Sequence, residues 1–170
     1  HMDATLSPTY YTGQGFLLEG EIRNRFETGQ HTFRFAGINQ TNPDTFGAGT
    51  SDWSEDTRLM AASKAEFRIN PRWTFGWNVM VQSDNNFSKT YSLDGLDETV
   101  FRNDIYLTGL GKRNFFDLHA FYFDVQDTSR DSMPEKRQAV VYPSLDYEYA
   151  APEPIAGGQL SITANLTRFS

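Results

Sequence analysis

Apolar and polar residues alternate with a period of two along most of this chain, and no segment keeps a helical period over three turns. Such alternation puts successive side chains on opposite faces of an extended strand. It is clearest over residues 73–84. There Trp73, Phe75, Trp77, Val79 and Val81 share one face, and Thr74, Gly76, Asn78, Met80 and Gln82 share the other. Residues 160–167 repeat it, with Leu160, Ile162, Ala164 and Leu166 opposing Ser161, Thr163, Asn165 and Thr167. Six further runs follow the rule: residues 16–26, 31–40, 57–70, 101–110, 115–124 and 137–149. In the run 115–124, Phe121 and Phe123 fall on the same face as Asp117 and His119.

These runs predict an all-β fold, an antiparallel up-and-down meander of about eight long strands. Each is roughly the length that a tilted strand needs to cross a bilayer, and longer than the usual soluble strand of about 5–6 residues. The connections alternate in length. Residues 27–30, 70–72, 111–113 and 152–158 form short turns, whereas 41–56, 84–99 and 126–136 form long loops. Outer-membrane barrels show the same asymmetry, with short periplasmic turns and long extracellular loops. With eight strands so arranged, both chain ends are expected on the long-loop side. Residues 1–2, His1-Met2, read as a remnant of cloning, and residues 3–170 as a single barrel domain or segment with cut ends and no signal peptide.

Alternation alone leaves two ways to place the faces. A soluble β-sandwich, acting as a binding module, buries the apolar faces against each other. A transmembrane barrel turns them to lipid and encloses the polar faces. Three features favour the barrel. The strands are long. Aromatic residues recur near strand ends, as girdles do. The polar faces carry opposite charges close together, suited to pairing across strands in an enclosed lumen. The expected lumen face comprises Glu19, Glu21, Arg23, Arg25, Arg34, Lys64, Glu66, Arg68, Asn78, Gln82, Arg102, Asp104, Asp146 and Glu148. The expected lipid face comprises Trp73, Phe75, Trp77, Val79, Val81, Leu160, Ile162 and Leu166.

Composition narrows the function. A net charge of −7 argues against a nucleic-acid partner, which requires a basic surface. The chain has no cysteine, which excludes thiolate metal sites and disulfides within it. No run approaches the roughly 18 apolar residues of a membrane helix, which says nothing against a barrel. Glu19 with Glu21, or Asp146 with Glu148, suggest paired catalytic acids, but flanking Arg and Lys make them balanced lumen charges. His31 and His119 lack the companions of a serine or metal site. Asp84, Asn85 and Asn86, and Asp94 with Asp97, suit turns better than a cation. No enzyme, cofactor or metal site is expected. Pro143 cannot donate to a strand ladder, so weakened pairing or a bulge is expected there.

Five segments, residues 8–26, 69–93, 105–123, 140–149 and 157–170, resemble the C-terminal barrel domain of the LptD family, in its alphaproteobacterial form. The run Trp73-Thr74-Phe75-Gly76-Trp77, followed by Gln82-Ser83-Asp84, is the most specific part. The resemblance implies a parent that inserts lipopolysaccharide into the outer leaflet of the bacterial outer membrane, with a lipoprotein partner, LptE, plugging its barrel. Membrane lipid or detergent would surround such a chain, and the charged face would be a path for saccharide. On its own the segment would close into a small barrel or pair its edges with another copy. A small anchor or adhesin barrel with binding loops is the other membrane reading.

Overall fold

The computed structural model describes residues 1–50, 52–53, 55–126 and 141–169. They form one antiparallel sheet of nine strands in strict sequence order. The strands are β1 (Met2–Tyr11), β2 (Gly15–Arg25), β3 (Gly29–Asn39), β4 (Thr57–Asn70), β5 (Trp73–Gln82), β6 (Val100–Leu110), β7 (Asn114–Val125), β8 (Val141–Ala150) and β9 (Ser161–Phe169). A 3₁₀ turn at Pro43–Thr45 and a single helical turn, α1 (Phe87–Thr90), lie in two of the connections.

The meander is as expected, with one strand more. β1 was not assigned from sequence, yet its alternation is regular: Met2, Ala4, Leu6 and Tyr10 oppose Asp3, Thr5, Ser7 and Thr9. Pro8 interrupts it, and proline is tolerated on an edge strand, where one side needs no donor. β1 is such an edge, paired only with β2 from Met2↔Asn24 to Tyr11↔Gly15. The extra strand also reverses the expected start of the chain. The His1 ammonium donates to the Arg25 carbonyl at 3.0 Å, beside the short turn after β2, so the first residue lies at the short-turn end.

Two of the architectures considered from sequence do not occur. A sandwich requires a second sheet, and the described residues make one. A small closed barrel requires β1 to pair with β9, and among the described residues these strands are separate edges. The sheet is open.

At Pro143 the pairing slips on both sides. His119↔Ser144 is followed by Phe121↔Val141, and Ser144↔Thr167 by Val141↔Phe169. Residues 142 and 143 together face one residue on each neighbour, Ala120 and Arg168, so β8 carries one extra residue, the arrangement of a bulge, which spares a residue that cannot donate. Most of the connection 126–136 and the first residues of the run 137–149 lie outside the described residues.

Loop 83–99 does not extend away from the strands. It folds back over one face of the sheet, and Phe87, Tyr91, Leu93 and Leu96 pack on Leu17, Ala36, Ile38, Met60, Ala62, Met80 and Phe101, which come from β2 to β6. Together they form a buried hydrophobic core. Phe101 has the parity of the opposite face but joins it. Pairing of β5 with β6 ends at Asn78↔Asp104, and above it the Asn103 side chain accepts from the Met80 N–H at 2.7 Å in place of backbone.

Candidate functional site: a charged sheet face beneath a capping loop

Register determines which side chains share a face. One row across the sheet reads Asp3, Arg23, Thr32, Lys64, Asn78, Asp104. The next reads Arg25, Gln30, Glu66, Gly76, Tyr106, His119, Ser144. A third reads Arg68, Thr74, Thr108, Asp117, Asp146, Asn165. Continued upward and downward, this face holds Glu19, Glu21, Arg34, Gln82, Arg102 and Glu148 as well. The pairing therefore places on one face all fourteen polar residues singled out from sequence.

Neighbouring charges on this face engage one another. Arg23 Nε lies 3.0 Å from both Asp3 and Glu21, and Arg34 lies 3.7 Å from Glu21. Arg102 pairs with Asp104 at 3.3 Å and stacks over the Phe121 ring at 4.1 Å. These pairs are partly solvated, so each contributes at most about 1 kcal/mol. Their value is in fixing side-chain positions. Arg25, Lys64 and Arg68 have no ion-pair partner among the described residues.

A second network, centred on Tyr106 and His119, was not read from sequence. The Tyr106 hydroxyl donates to Glu66 at 2.9 Å, and its ring stacks on the His119 imidazole at 5.4 Å. His119 Nδ1 is 2.9 Å from Asp104, and Nε2 is 3.1 Å from Asp117. Gly76 makes room for this: a Cβ there would lie 2.4 Å from the Tyr106 ring and 2.7 Å from the Ala65 carbonyl. Asp117 faces Asp146 directly across β7 and β8, a like-charge opposition that costs stability unless relieved. Asn165, hydrogen-bonded to Asp146, offsets part of it on one side, and His119 Nε2 lies close to Asp117 on the other.

Toward the long-loop end the same face changes character. Leu17, Ile38, Ala36, Met60, Ala62 and Met80 replace charges in its upper rows, and the cap sits on them. Two of the fourteen residues belong to this junction rather than to an open wall. Gln82 accepts from the Ser88 N–H and hydroxyl, both at 3.0 Å, and Arg34 donates to the Asp94 carbonyl at 2.5 Å. Between cap and sheet remains a cavity of about 450 Å³ lined by Glu21, Arg34, Lys64, Asn78, Glu98 and Arg102 among others. Arg58 is fully buried here and forms a two-point ion pair with Asp84. Burial raises the pKa of the Tyr91 phenol above its ordinary value, against the pull of the adjacent Arg58 guanidinium. Asp84, weighed from sequence as part of a cation loop, is thus engaged by Arg58. Among the described residues no three His, Asp or Glu side chains are grouped to hold a metal.

The opposite face carries Trp73, Phe75, Trp77, Val79, Val81, Ile162 and Leu166, with Leu160 just before β9. Among the described residues its aliphatic side chains are largely uncovered. Leu6, Leu59, Val81, Ile105, Ile162 and Leu166 are all about half exposed or more. Toward the short turns Phe26, Phe67, Trp77 and Phe75 follow in ring contact at 5.6–6.0 Å, and Trp73 meets Phe116 edge-on at 5.2 Å. Contiguous exposed apolar patches on soluble monomers seldom exceed a few hundred Å², and a larger one marks a surface that meets a partner or a membrane.

The family model described as LPS transport system D, LptD, matches residues 56–170, about two-thirds of the chain. The chain belongs to the LptD family. The LPS-assembly protein LptD of Actinobacillus pleuropneumoniae serotype 5b (strain L20) is 24% identical over 171 residues, which cover 99% of this chain and 21% of that protein. The chain thus spans about a fifth of the length of this LptD relative.

Proposed function

We propose that this chain is a wall segment of the outer-membrane barrel of a lipopolysaccharide-transport protein, from the C-terminal barrel domain of an alphaproteobacterial-type LptD. The carrying observation is the two-faced open sheet: charges gathered on one side, unpartnered hydrocarbon on the other. In lipid every backbone group must be bonded within the protein, so edges β1 and β9 join further strands of a larger barrel. A second copy would satisfy the edges of an isolated segment.

In this reading the charged face encloses water and forms part of a path for saccharide. Arg25, Lys64 and Arg68, which have no ion-pair partner among the described residues, offer reversible contacts to anionic groups, while the Tyr106–His119 network supplies fixed hydrogen-bonding groups. The segment performs no covalent chemistry. It holds a hydrated passage open in the outer membrane, with the lipoprotein LptE filling the remainder of the lumen.

The test is charge reversal in the full-length protein. Replacing Lys64 and Arg68 together with Glu should reduce lipopolysaccharide at the cell surface while leaving the amount of folded barrel unchanged. Unchanged surface lipopolysaccharide at normal barrel levels would remove these side chains from the path.

A further inference from the structure

We infer that the β3–β4 and β5–β6 loops form a latched plug over the long-loop end of the charged face, and that the buried Arg58–Asp84 pair is the latch. The seat is built into the sheet. Charges occupy the lower rows of this face, but Leu17, Ala36, Ile38, Met60, Ala62 and Met80 occupy the rows where Phe87, Tyr91, Leu93 and Leu96 land. An open wall for polar solutes would have no use for an apolar patch there. A seat for a cap has.

The latch joins both loops to β4. Arg58 Nε and Nη2 donate to Asp84 at 2.8 and 2.7 Å. The guanidinium lies 5.3 and 5.5 Å from the Phe87 and Tyr91 rings of one loop, and 5.6 Å from Phe46 of the other. Thr90 meets Asp52 at 3.4 Å, again loop to loop. The Tyr91 hydroxyl donates to Gln40 at 2.5 Å, and Gln126 at the end of β7 donates to the Leu96 and Glu98 carbonyls at 2.6 and 2.9 Å. With the plug down, both charges are out of water and depend on each other. With the plug lifted, both regain water. Loss of one partner therefore penalises the closed state alone, and the sheet does not depend on it.

The chain has no cysteine, so single introduced thiols report the plug cleanly. Ala36, 2% exposed, lies under the cap; Ala65, 3% exposed, is buried on the opposite face away from it; Thr163 is exposed on the charged face outside it. In detergent, Ala36→Cys and Ala65→Cys should resist a charged maleimide while Thr163→Cys reacts promptly. Adding Asp84→Asn should raise the Ala36→Cys rate by about 100-fold or more, the factor implied by breaking a buried ion pair, and leave Ala65→Cys protected. Arg58→Lys, which keeps the charge but loses the two-point bond and flat stacking surface, should fall between. Prompt labelling of Ala36→Cys without either change overturns the plug. Rates unmoved by both variants overturn the latch, and so does joint exposure of Ala36→Cys and Ala65→Cys in both, which makes the pair a support of the whole fold. What the plug blocks rests on the conduit reading, tested separately by passage of a polar solute through the full-length protein; the labelling result stands without it.

Discussion

Ile105→Arg places a charge at the centre of the bare apolar face. Ile105 sits midway along β6 (Val100–Leu110), between Trp77 and Ala120 of the neighbouring strands, and is 49% exposed. At about 3.3 Å per residue and a tilt near 40°, it lies roughly 13 Å from either strand end, at the middle of an apolar band about 25 Å tall. A lipid-facing Arg at that depth costs about 2–4 kcal/mol, against about 0–1 kcal/mol near an interface. Leu59, near the long-loop end of β4 on the same apolar face and 56% exposed, supplies the shallow control. The assay is urea unfolding of the chain in phospholipid vesicles, followed by tryptophan fluorescence. Ile105→Arg should lower stability by at least about 2 kcal/mol more than Leu59→Arg. Equal, small effects at the two positions would mean that depth does not matter, and the assignment of this face to hydrocarbon would be refuted.

Other consequences concern the cap and the ladder. Leu93→Ala empties a fully buried site in the cap core and should cost about 2–5 kcal/mol, with faster amide exchange in residues 83–99 than in β4. A raised folded-state pKa means that Tyr91 contributes its full stabilisation below the unfolded value of 10.0 and loses it as pH climbs through the folded value. The cap should therefore loosen in alkali, seen as late tyrosinate absorbance, and Tyr91→Phe should abolish that step. Gly29→Ala would put a Cβ 2.1 Å from the Glu66 carbonyl and 2.8 Å from the Phe67 Cα, so β3 must move off β4; a loss of about 1–3 kcal/mol in chemical denaturation is expected. Phe at position 106 removes the bond to Glu66 but keeps the ring on His119, and Tyr106→Phe should cost about 1 kcal/mol by the same measurement.

The meander and the sidedness of the strands were legible because period two is a local signal that register carries across the sheet unchanged. β1 was not read, although its alternation is regular on either side of Pro8 and an edge position makes proline harmless. The cap was harder to read. Its traces were present: Met80 interrupts the polar face of residues 73–84, and Leu17, Ile38 and Met60 share that parity. Each looks like noise within its own strand. Only pairing brings them into one patch, and only the return of loop 83–99 supplies Phe87, Leu93 and Leu96 to cover it. Arg58 was invisible for the same reason, since nothing local marks an arginine that three rings from two loops enclose. Closure failed differently. Nothing in alternation says whether the last strand meets the first, because strand count and shear are properties of the whole sheet.

The central assignment, apolar face to hydrocarbon and charged face to water, is tested most directly by where Trp77 sits. With Trp53 and Trp73 replaced by Phe, the remaining indole should be strongly quenched by lipids brominated on their acyl chains and little affected by aqueous iodide. Quenching by iodide, with brominated lipids inert, would contradict the account.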